Sequence, residues 1–247
     1  MTVPRLFVAK VIEAGAELAL DAPQAHYLLH VLRLGEGGEI LAFDGGSGEW
    51  SAEIVKARKG SCCIRIGRKL REQIIAQDIH YAFAPLKQAR LDYMVQKATE
   101  MGASLLQPVI TAHTVVPRLN LERMRANAIE AAEQCGILSV PGVEAPVKLE
   151  ALLKACQKGR IVVFCDERAA IAPPLEALGS LKGRKITALV GPEGGFSEAE
   201  RELLLSKEFV CPVSLGPRIM RADTAAVSIL ALVNAVLGDW CRLPAQM

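Results

Sequence analysis

One junction in this 247-residue chain restricts the fold more than any other segment, because it joins a buried strand to a helix through glycines. Residues 186–190 (ITALV) are apolar except for Thr187, as expected of a strand that is covered on both faces. The turn 191–196 (GPEGGF) follows, and Ser197 with Glu200 three residues later forms a capping box that begins a helix. A buried strand that leads directly into a helix predicts a parallel α/β sheet.

The same alternation of strands and helices runs through the second part of the chain. Strands are predicted at 79–84, 105–110, 160–165, 186–190 and 209–215, and helices at 91–101, 121–135, 197–206 and 222–237. This order implies a largely parallel sheet with helices on both faces. Ligands of such sheets bind at the carboxyl ends of the strands, where the strands lead into helices.

The first 70 or so residues have a different pattern. Short runs with alternating polarity occur at 5–8, 40–43, 50–55 and 62–66, and glycines separate them. One helix follows the segment 21–23. The pattern predicts a small β-barrel or sandwich. We place the linker at residues 71–73, so the expected domains are 1–71 and 74–247.

The glycine-rich turn is not built for phosphate. No Gly-Lys-Ser/Thr follows it, and it lacks the Gly-x-Gly-x-x-Gly pattern of dinucleotide sites. Glu193 places a carboxylate in the middle of the turn, where it would repel a pyrophosphate. A neutral or cationic ligand that is held by backbone amides and carbonyls fits better.

A second strand-to-helix junction, residues 213–226, carries two arginines. We expect Asp223 or Thr224 to cap the helix that begins there. Arg218 and Arg221 precede this helix near its positive end, where a cation is destabilised by about 0.3–1 kcal/mol. Arginines in this position often serve an anion, but they could equally point to solvent or pair with Glu193 or Asp223.

Composition limits the possible partners. Lys and Arg number 29 and Asp and Glu 27, so the net charge of +2 excludes a disordered polyelectrolyte. Aromatic residues make up only 4%, too few for rows of stacked bases. The stretch 56–71 nevertheless carries seven basic residues and no acidic one. This basic segment indicates either a solvated sheet edge or a surface that follows phosphates.

Neither the cysteines nor the apolar segments suggest a metal, a disulfide framework or a membrane span. The seven cysteines, at 62, 63, 135, 156, 165, 211 and 241, have no Cys-x-x-Cys spacing. The N-terminus lacks a signal-peptide pattern, so we expect a cytoplasmic protein with reduced thiols. The stretch 222–238 is shorter than the roughly 20 residues of a span and contains Asp223, Ser228 and Asn234, so we interpret it as a buried helix.

Several motifs taken together resemble the ribosomal RNA small subunit methyltransferase E family, which belongs to the SPOUT class. They are 189–196 (LVGPEGGF), 215–221 (LGPRIMR), 87–92 with 96–102, 130–136 (EAAEQCG), and the pattern His26-x-Leu28-x-x-Val31-Leu32-Arg33. The resemblance covers nearly the whole chain. It implies a PUA-like β-barrel followed by an α/β domain with a deep C-terminal trefoil knot.

The resemblance also implies an activity. Members of the family use S-adenosylmethionine to methylate N3 of a uridine in 16S ribosomal RNA, at position 1498 of the RNA, and they act as homodimers. The substrate would be the RNA or the assembled 30S particle. A sulfonium cofactor is cationic, which agrees with the glycine-rich turn and its carboxylate.

Site residues follow from the matching positions. The cofactor would be bound by residues of the two junctions: Val190, Gly191, Pro192, Glu193, Gly194, Gly195, Leu215, Gly216, Ile219, Met220, Arg221, Ala222 and Thr224. RNA would contact Arg5, Arg33, Arg65, Arg68, Lys97 and Arg218. The uridine imide proton must leave, so Arg221 or Arg218 would stabilise the resulting anion, and Glu193 is the nearest candidate base.

Two segments depart from the family pattern. Ile137, Leu138 and Ser139 follow Gly136 where an arginine is expected, and residues 111–114 (TAHT) stand where members often carry Glu-Arg. Both changes remove charge from loops that we expect to face RNA. Two other functions stay open: methylation of a different ribosomal or transfer RNA site, and a non-catalytic RNA-binding role in ribosome assembly.

Overall fold

The structure of the chain is a computed structural model, which describes residues 3–58, 61–116, 118–156, 159–169 and 174–241. The chain folds into two compact units. The N-terminal unit consists of Met1–Ile75 and Ala132–Val140, and the C-terminal unit of Ala76–Ala131 and Pro141–Met247. No sequence signal assigned the segment Ala132–Val140 to the N-terminal unit.

A five-stranded mixed sheet forms the N-terminal unit. Its strands are β1 (Arg5–Phe7), β2 (Glu17–Ala19), β3 (Glu39–Phe43), β4 (Glu49–Arg58) and β5 (Ser61–Arg71). They are arranged in the order β1-β3-β4-β5-β2, with β1 parallel to β3 and the other pairs antiparallel. Cys62, Ile64 and Ile66 point into the core while Arg65 is exposed, which is the period of two that predicted the strand.

The predicted helix of this unit is confirmed, although it changes geometry within two turns. Helix α1 (Ala22–His26) begins at a capping box in which Asp21 and Gln24 bond each other's backbone. A π-helix, Tyr27–Val31, continues it. Arg33 follows with a φ of 56°, the one positive φ of a non-glycine residue in the described chain. Such a backbone is uncommon for arginine and fixes the direction in which the chain leaves the helix.

Arg5 secures the segment Ala132–Val140 within the N-terminal unit. Its Nη1 donates to the carbonyls of Ala132 (2.5 Å) and Glu133 (2.9 Å), and its Nη2 donates to that of Ile137 (3.1 Å). Its Nε donates to Glu49 Oε1 at 2.7 Å, and Glu49 is only 4% exposed. The guanidinium therefore satisfies carbonyls at a helix end that lack a partner within the helix.

The C-terminal unit is a parallel sheet, as predicted. Its strands are β6 (Ile79–Phe83), β7 (Leu105–Ile110), β8 (Gly142–Val143), β9 (Val147–Lys148), β10 (Arg160–Cys165), β11 (Lys185–Val190) and β12 (Val210–Val213). The order is β12-β10-β11-β6-β7-β8, and β9 also pairs with β7. Every pair between these strands is parallel. The two-residue strands β8 and β9 were not predicted because they are too short to show a period.

The four predicted helices of this unit are present, and the described residues contain two further helices. They are α2 (Gln88–Glu100), α3 (Leu121–Gln134), which continues into the segment Ala132–Val140, α4 (Leu149–Cys156), α5 (Pro174–Gly179), α6 (Glu198–Leu205) and α7 (Ala222–Leu237). Helices α4 and α5 were not predicted. Ser197 caps α6 through the predicted box with Glu200.

Helix α7 confirms the interpretation of the apolar C-terminal stretch as a buried helix. Its polar residue Asn234 is 1% exposed, and its Nδ2 donates to the carbonyls of Met101 (2.6 Å) and Leu230 (2.9 Å). Met101 is the last cap residue of α2, so this amide closes the end of a neighbouring helix. In the described part of the chain, no helix has the length and apolarity that would let it cross a membrane.

We predict that Asn234→Leu lowers the free energy of unfolding by about 1–3 kcal/mol, because it leaves a buried carbonyl without a donor. Ser228→Ala is the control on the same helix, since Ser228 donates to its own helix at Thr224 (2.9 Å) and should cost about 0.5 kcal/mol or less. Urea denaturation at one protein concentration measures both. Equal losses in the two variants would contradict the capping role.

Candidate active site

A cavity of about 480 Å³ lies at the carboxyl ends of three neighbouring strands of the C-terminal unit. Loop A (residues 165–169) follows β10, loop B (191–196) follows β11, and loop C (214–221) follows β12 and leads into α7. All three loops line the cavity, together with Arg90 of α2 and Ala222 and Ala225 of α7. The size suits a drug-sized or cofactor-sized ligand.

Loop B depends on glycine at two positions. A Cβ on Gly191 would lie 2.6 Å from the ring of Phe196, which itself packs edge-on against Phe164 with ring centroids 5.1 Å apart. Gly195 has a φ of +68°, a region that residues with a side chain rarely adopt. The turn is therefore held against its own aromatic residue, with backbone exposed toward the cavity.

His113 supports loop B from another segment of the unit. Its Nδ1 lies 3.1 Å from the carbonyl oxygens of both Gly194 and Gly195. The neighbouring amide of Ala112 donates to Glu200 Oε1 at 2.8 Å, in the first turn of α6. Residues 111–114, which depart from the family pattern, thus contact the glycine turn. Sequence reasoning considered them only for RNA contact.

Loop A forms a third wall of the cavity, and the sequence analysis did not include it. Asp166, 4% exposed, accepts from Arg201 Nε and Nη2, both at 2.9 Å, and from the amide of Arg168 at 3.0 Å. The hydrogen bond to Asp166 raises the pKa of Arg201. Arg168 in turn pairs with Glu198 at 2.6 Å. Strand order is the feature that could have identified loop A. Because β10 lies between β12 and β11, its carboxyl end lies at the same edge of the sheet as loops B and C.

Cys165 begins loop A, but its thiol is not a nucleophile. Burial raises its pKa to about 12, so it stays protonated near neutral pH. Burial also raises the pKa of Tyr81, whose hydroxyl lies 3.0 Å from Met94 Sδ. Neither group offers the activated base or nucleophile that covalent catalysis needs.

Loop C presents two arginines, and the helix after it has the predicted bounds but a different N-cap. The N-cap of α7 is Arg221, without a side-chain hydrogen bond, so the prediction that Asp223 or Thr224 caps the helix was wrong. Asp223 lies in the first turn, where a carboxylate suits the helix dipole. Arg218 and Arg221 are exposed and have no ion pair with any residue that the structure describes.

Glu193 and Asp223 both lie next to a third arginine. Arg90 Nη1 contacts Glu193 Oε1 directly, and Arg90 Nε lies 3.9 Å from Asp223 Oδ2. Arg90 therefore links loop B to the start of α7. The two carboxylates pair with Arg90 rather than with Arg218 or Arg221, which removes one of the alternatives that the sequence left open.

Most residues that we predicted for the cofactor line this cavity: Val190, Gly191, Pro192, Glu193, Gly195, Leu215, Gly216, Ile219, Met220, Arg221 and Ala222, with Arg218 beside them. Gly194 and Thr224 are not among the lining residues. A Cβ on Gly194 would meet His113 at 3.5 Å, outside the cavity wall. The roles of all these residues remain predictions.

The other residues predicted to contact RNA have varied surroundings. The Arg5 side chain is 12% exposed. Arg65 pairs with Glu17 at 2.8 Å, and Lys97 with Glu100 at 2.7 Å. Arg33 and Arg68 are exposed. Within the basic segment, Lys56, Lys69 and Arg71 also pair with glutamates, and Lys59 lies outside the described residues.

The described residues contain no group of three or more His, Cys, Asp or Glu side chains that could hold a metal ion.

Comparison with known proteins gives consistent results over the whole chain. A family model described as an RNA methyltransferase domain matches residues 74–234, and one described as an RNA methyltransferase PUA domain matches residues 20–67. The chain is 33% identical over 227 residues to ribosomal RNA small subunit methyltransferase E of Rickettsia conorii, covering 92% of this chain and 91% of that protein.

Two solved structures are similar over their full lengths. A methyltransferase of Legionella pneumophila, in complex with S-adenosylmethionine, has a TM-score of 0.87 at 26% identity and covers 97% of this chain and 100% of its own. Ribosomal RNA small subunit methyltransferase E of Neisseria gonorrhoeae, bound to S-adenosylmethionine, has a TM-score of 0.84 at 26% identity with the same coverage.

We predict that Asp166→Asn lowers the free energy of unfolding by about 1–3 kcal/mol, because Arg201 loses a buried charged acceptor. Glu198 lies on α6, as Arg201 does, and forms an exposed ion pair with Arg168. Glu198→Gln breaks that pair and should lower the free energy of unfolding by only about 0–1 kcal/mol. Urea denaturation of the two variants provides the comparison. Equal stability of the Asp166→Asn and Glu198→Gln variants would contradict a stabilising role of the Asp166–Arg201 ion pair.

Proposed function

Because the chain belongs to the ribosomal RNA small subunit methyltransferase E family, we propose that it transfers the methyl group of S-adenosylmethionine to N3 of a uridine in 16S ribosomal RNA, the uridine at position 1498. The observation that carries the proposal is the cavity between loops A, B and C. Relatives of the same fold have been solved with this cofactor bound.

The cavity suits S-adenosylmethionine chemically. Its volume of about 480 Å³ lies within the range of about 300–1,000 Å³ that is usual for such ligands. Glycines at 195 and 216 allow backbone groups to approach an adenosine closely. Phe196, Leu215 and Met220 supply apolar walls. When bound, the cofactor supplies a methyl group on a positively charged sulfur.

Arg221 and Arg218 are the groups that would act on the uridine. Uridine N3 carries a proton that must leave before or during attack, and the negative charge then spreads over the ring carbonyls. An arginine without an ion pair at the cavity mouth can stabilise that charge. Glu193 would receive the proton or pass it to water, and Arg90 holds its carboxylate in place.

Several finer features of the proposal rest on the family. They are a closed PUA-like barrel over 1–71, a deep trefoil knot in the domain 74–247, a homodimer, and action in the cytoplasm. The parallel order of β12, β10 and β11 is compatible with a knot that gathers loops A, B and C, and knots are otherwise rare.

The two alternative functions differ in whether they need the cavity and its cofactor. Methylation of another RNA site uses the same cavity and cofactor, so only the product can exclude it. A non-catalytic assembly factor needs no cofactor-sized cavity. Arg218 and Arg221, which have no ion pair among the described residues and lie beside glycine-rich backbone, favour an enzyme.

Methyl transfer from labelled S-adenosylmethionine to purified 30S particles, compared with naked 16S RNA, tests the proposal. We expect incorporation as 3-methyluridine at one position, which blocks Watson–Crick pairing and stops reverse transcriptase there. Label in a different nucleoside would support the second function. Absence of cofactor binding at millimolar concentration would support the assembly factor.

We predict that Arg221→Ala lowers kcat about 100-fold with little change in the Kd of S-adenosylmethionine, because the charge is needed mainly in the transition state. Arg184→Ala, at an exposed position of the same unit outside the cavity, is the control. Single-turnover rates and calorimetry separate the two effects. A matching loss of affinity and no loss of rate would place Arg221 in cofactor binding alone.

For RNA binding, we predict that Arg68→Ala weakens affinity and reduces the slope of log K against log salt by about 0.7–0.9, the loss of one phosphate contact. Arg68 is exposed and has no ion pair among the described residues. Lys10→Ala is the matched control, at an exposed site of the same unit outside the basic segment. Unchanged slopes for both would leave the basic segment as a solvated sheet edge.

A further inference from the structure

Most of the charged side chains that line the cavity form ion pairs. Asp166 pairs with Arg201, Arg168 with Glu198, and Arg90 with Glu193. Three lining residues have no ion pair with any part of the chain that the structure describes: Glu167, Arg218 and Arg221. The two arginines have a proposed role toward uridine and RNA, whereas the single carboxylate has none.

The Glu167 carboxylate is directed at the glycine turn that forms the opposite wall. Its Oε1 lies 3.6 Å from the position that a Cβ on Gly195 would occupy. The next residue back, Asp166, is fixed by Arg201 and by the amide of Arg168. Glu167 is an exposed residue of the cavity lining, and its side chain extends from an anchored backbone toward Gly195 of loop B.

A lone carboxylate in this place favours a cationic ligand. The positive charges of Arg218 and Arg221 oppose a sulfonium, and Glu167 offsets one of the two. Methyl transfer leaves the bonding electron pair on sulfur, so the cofactor loses its positive sulfur and becomes a neutral thioether. A fixed negative charge thus attracts the substrate form of the cofactor more than the product form.

We propose that Glu167 is the residue by which the cavity distinguishes S-adenosylmethionine from its thioether product, S-adenosylhomocysteine. The inference rests on the proposed function, and it adds a specificity determinant on a loop that the sequence analysis did not include. Glu167 acts through charge alone and takes no part in bond making.

Calorimetry of the full-length protein with three probes tests the inference: S-adenosylmethionine, S-adenosylhomocysteine, and sinefungin, in which a carbon that bears an amine replaces the sulfur that bears the methyl group. We expect Glu167→Gln to raise the Kd of the two cationic probes about 5–10-fold and that of the thioether less than 2-fold. Glu202→Gln removes the same charge at an exposed site of α6 outside the cavity and should change none of the three.

A salt series on the unaltered protein gives a second readout, since its preference for the cationic probes should fall as salt rises. Equal weakening of all three probes by Glu167→Gln would overturn the inference, because Glu167 would then contact a part that they share. No weakening would also overturn it. In both cases methyl transfer by the unaltered protein would leave the proposed function standing, whereas failure of that protein to bind any probe would remove both.

Discussion

Parallel pairing of β12, β10 and β11 in one register is the constraint on which the candidate site depends. Phe164 pairs with Leu189, and Cys165 pairs with Val213, so the three strands end at the same level. Loops A, B and C must then leave the sheet side by side. A shift of one strand by two residues would preserve the core faces but would separate the loops, and no cavity would form.

Each loop is held by contacts with neighbouring elements of the C-terminal unit. His113 holds loop B, the Asp166–Arg201 pair holds loop A, and helix α7 fixes the end of loop C. These contacts fix the backbone of the loops, whereas the side chains of Glu167, Arg218 and Arg221 are exposed. The backbone groups are therefore in place before a ligand binds, and groups placed in advance stabilise a transition state more than groups that must reorient.

Local sequence patterns were sufficient for the long elements and for loops B and C, because buried strands, glycine turns and capping residues have short-range signatures. They were insufficient where the cause lies far away in the chain. Loop A depends on β10 lying between two strands that come later in the sequence. Arg5 was predicted only as an RNA contact, and the sequence did not show that its guanidinium donates to carbonyls about 130 residues away, at Ala132 and Ile137. His113 likewise has a partner 81 residues distant.

The position of Arg90 bears on how the proton leaves uridine. One guanidinium contacts Glu193 and lies near Asp223, which is 18% exposed, so it offsets the repulsion between a carboxylate on loop B and one on α7. Without Arg90, loop B and the start of α7 would lose the side chain that links them. Arg90 therefore positions Glu193, and Arg221 has no ion pair with the residues that the structure describes. In the proposed reaction, the candidate base and the candidate anion stabiliser are thus separate groups that do not pair with each other.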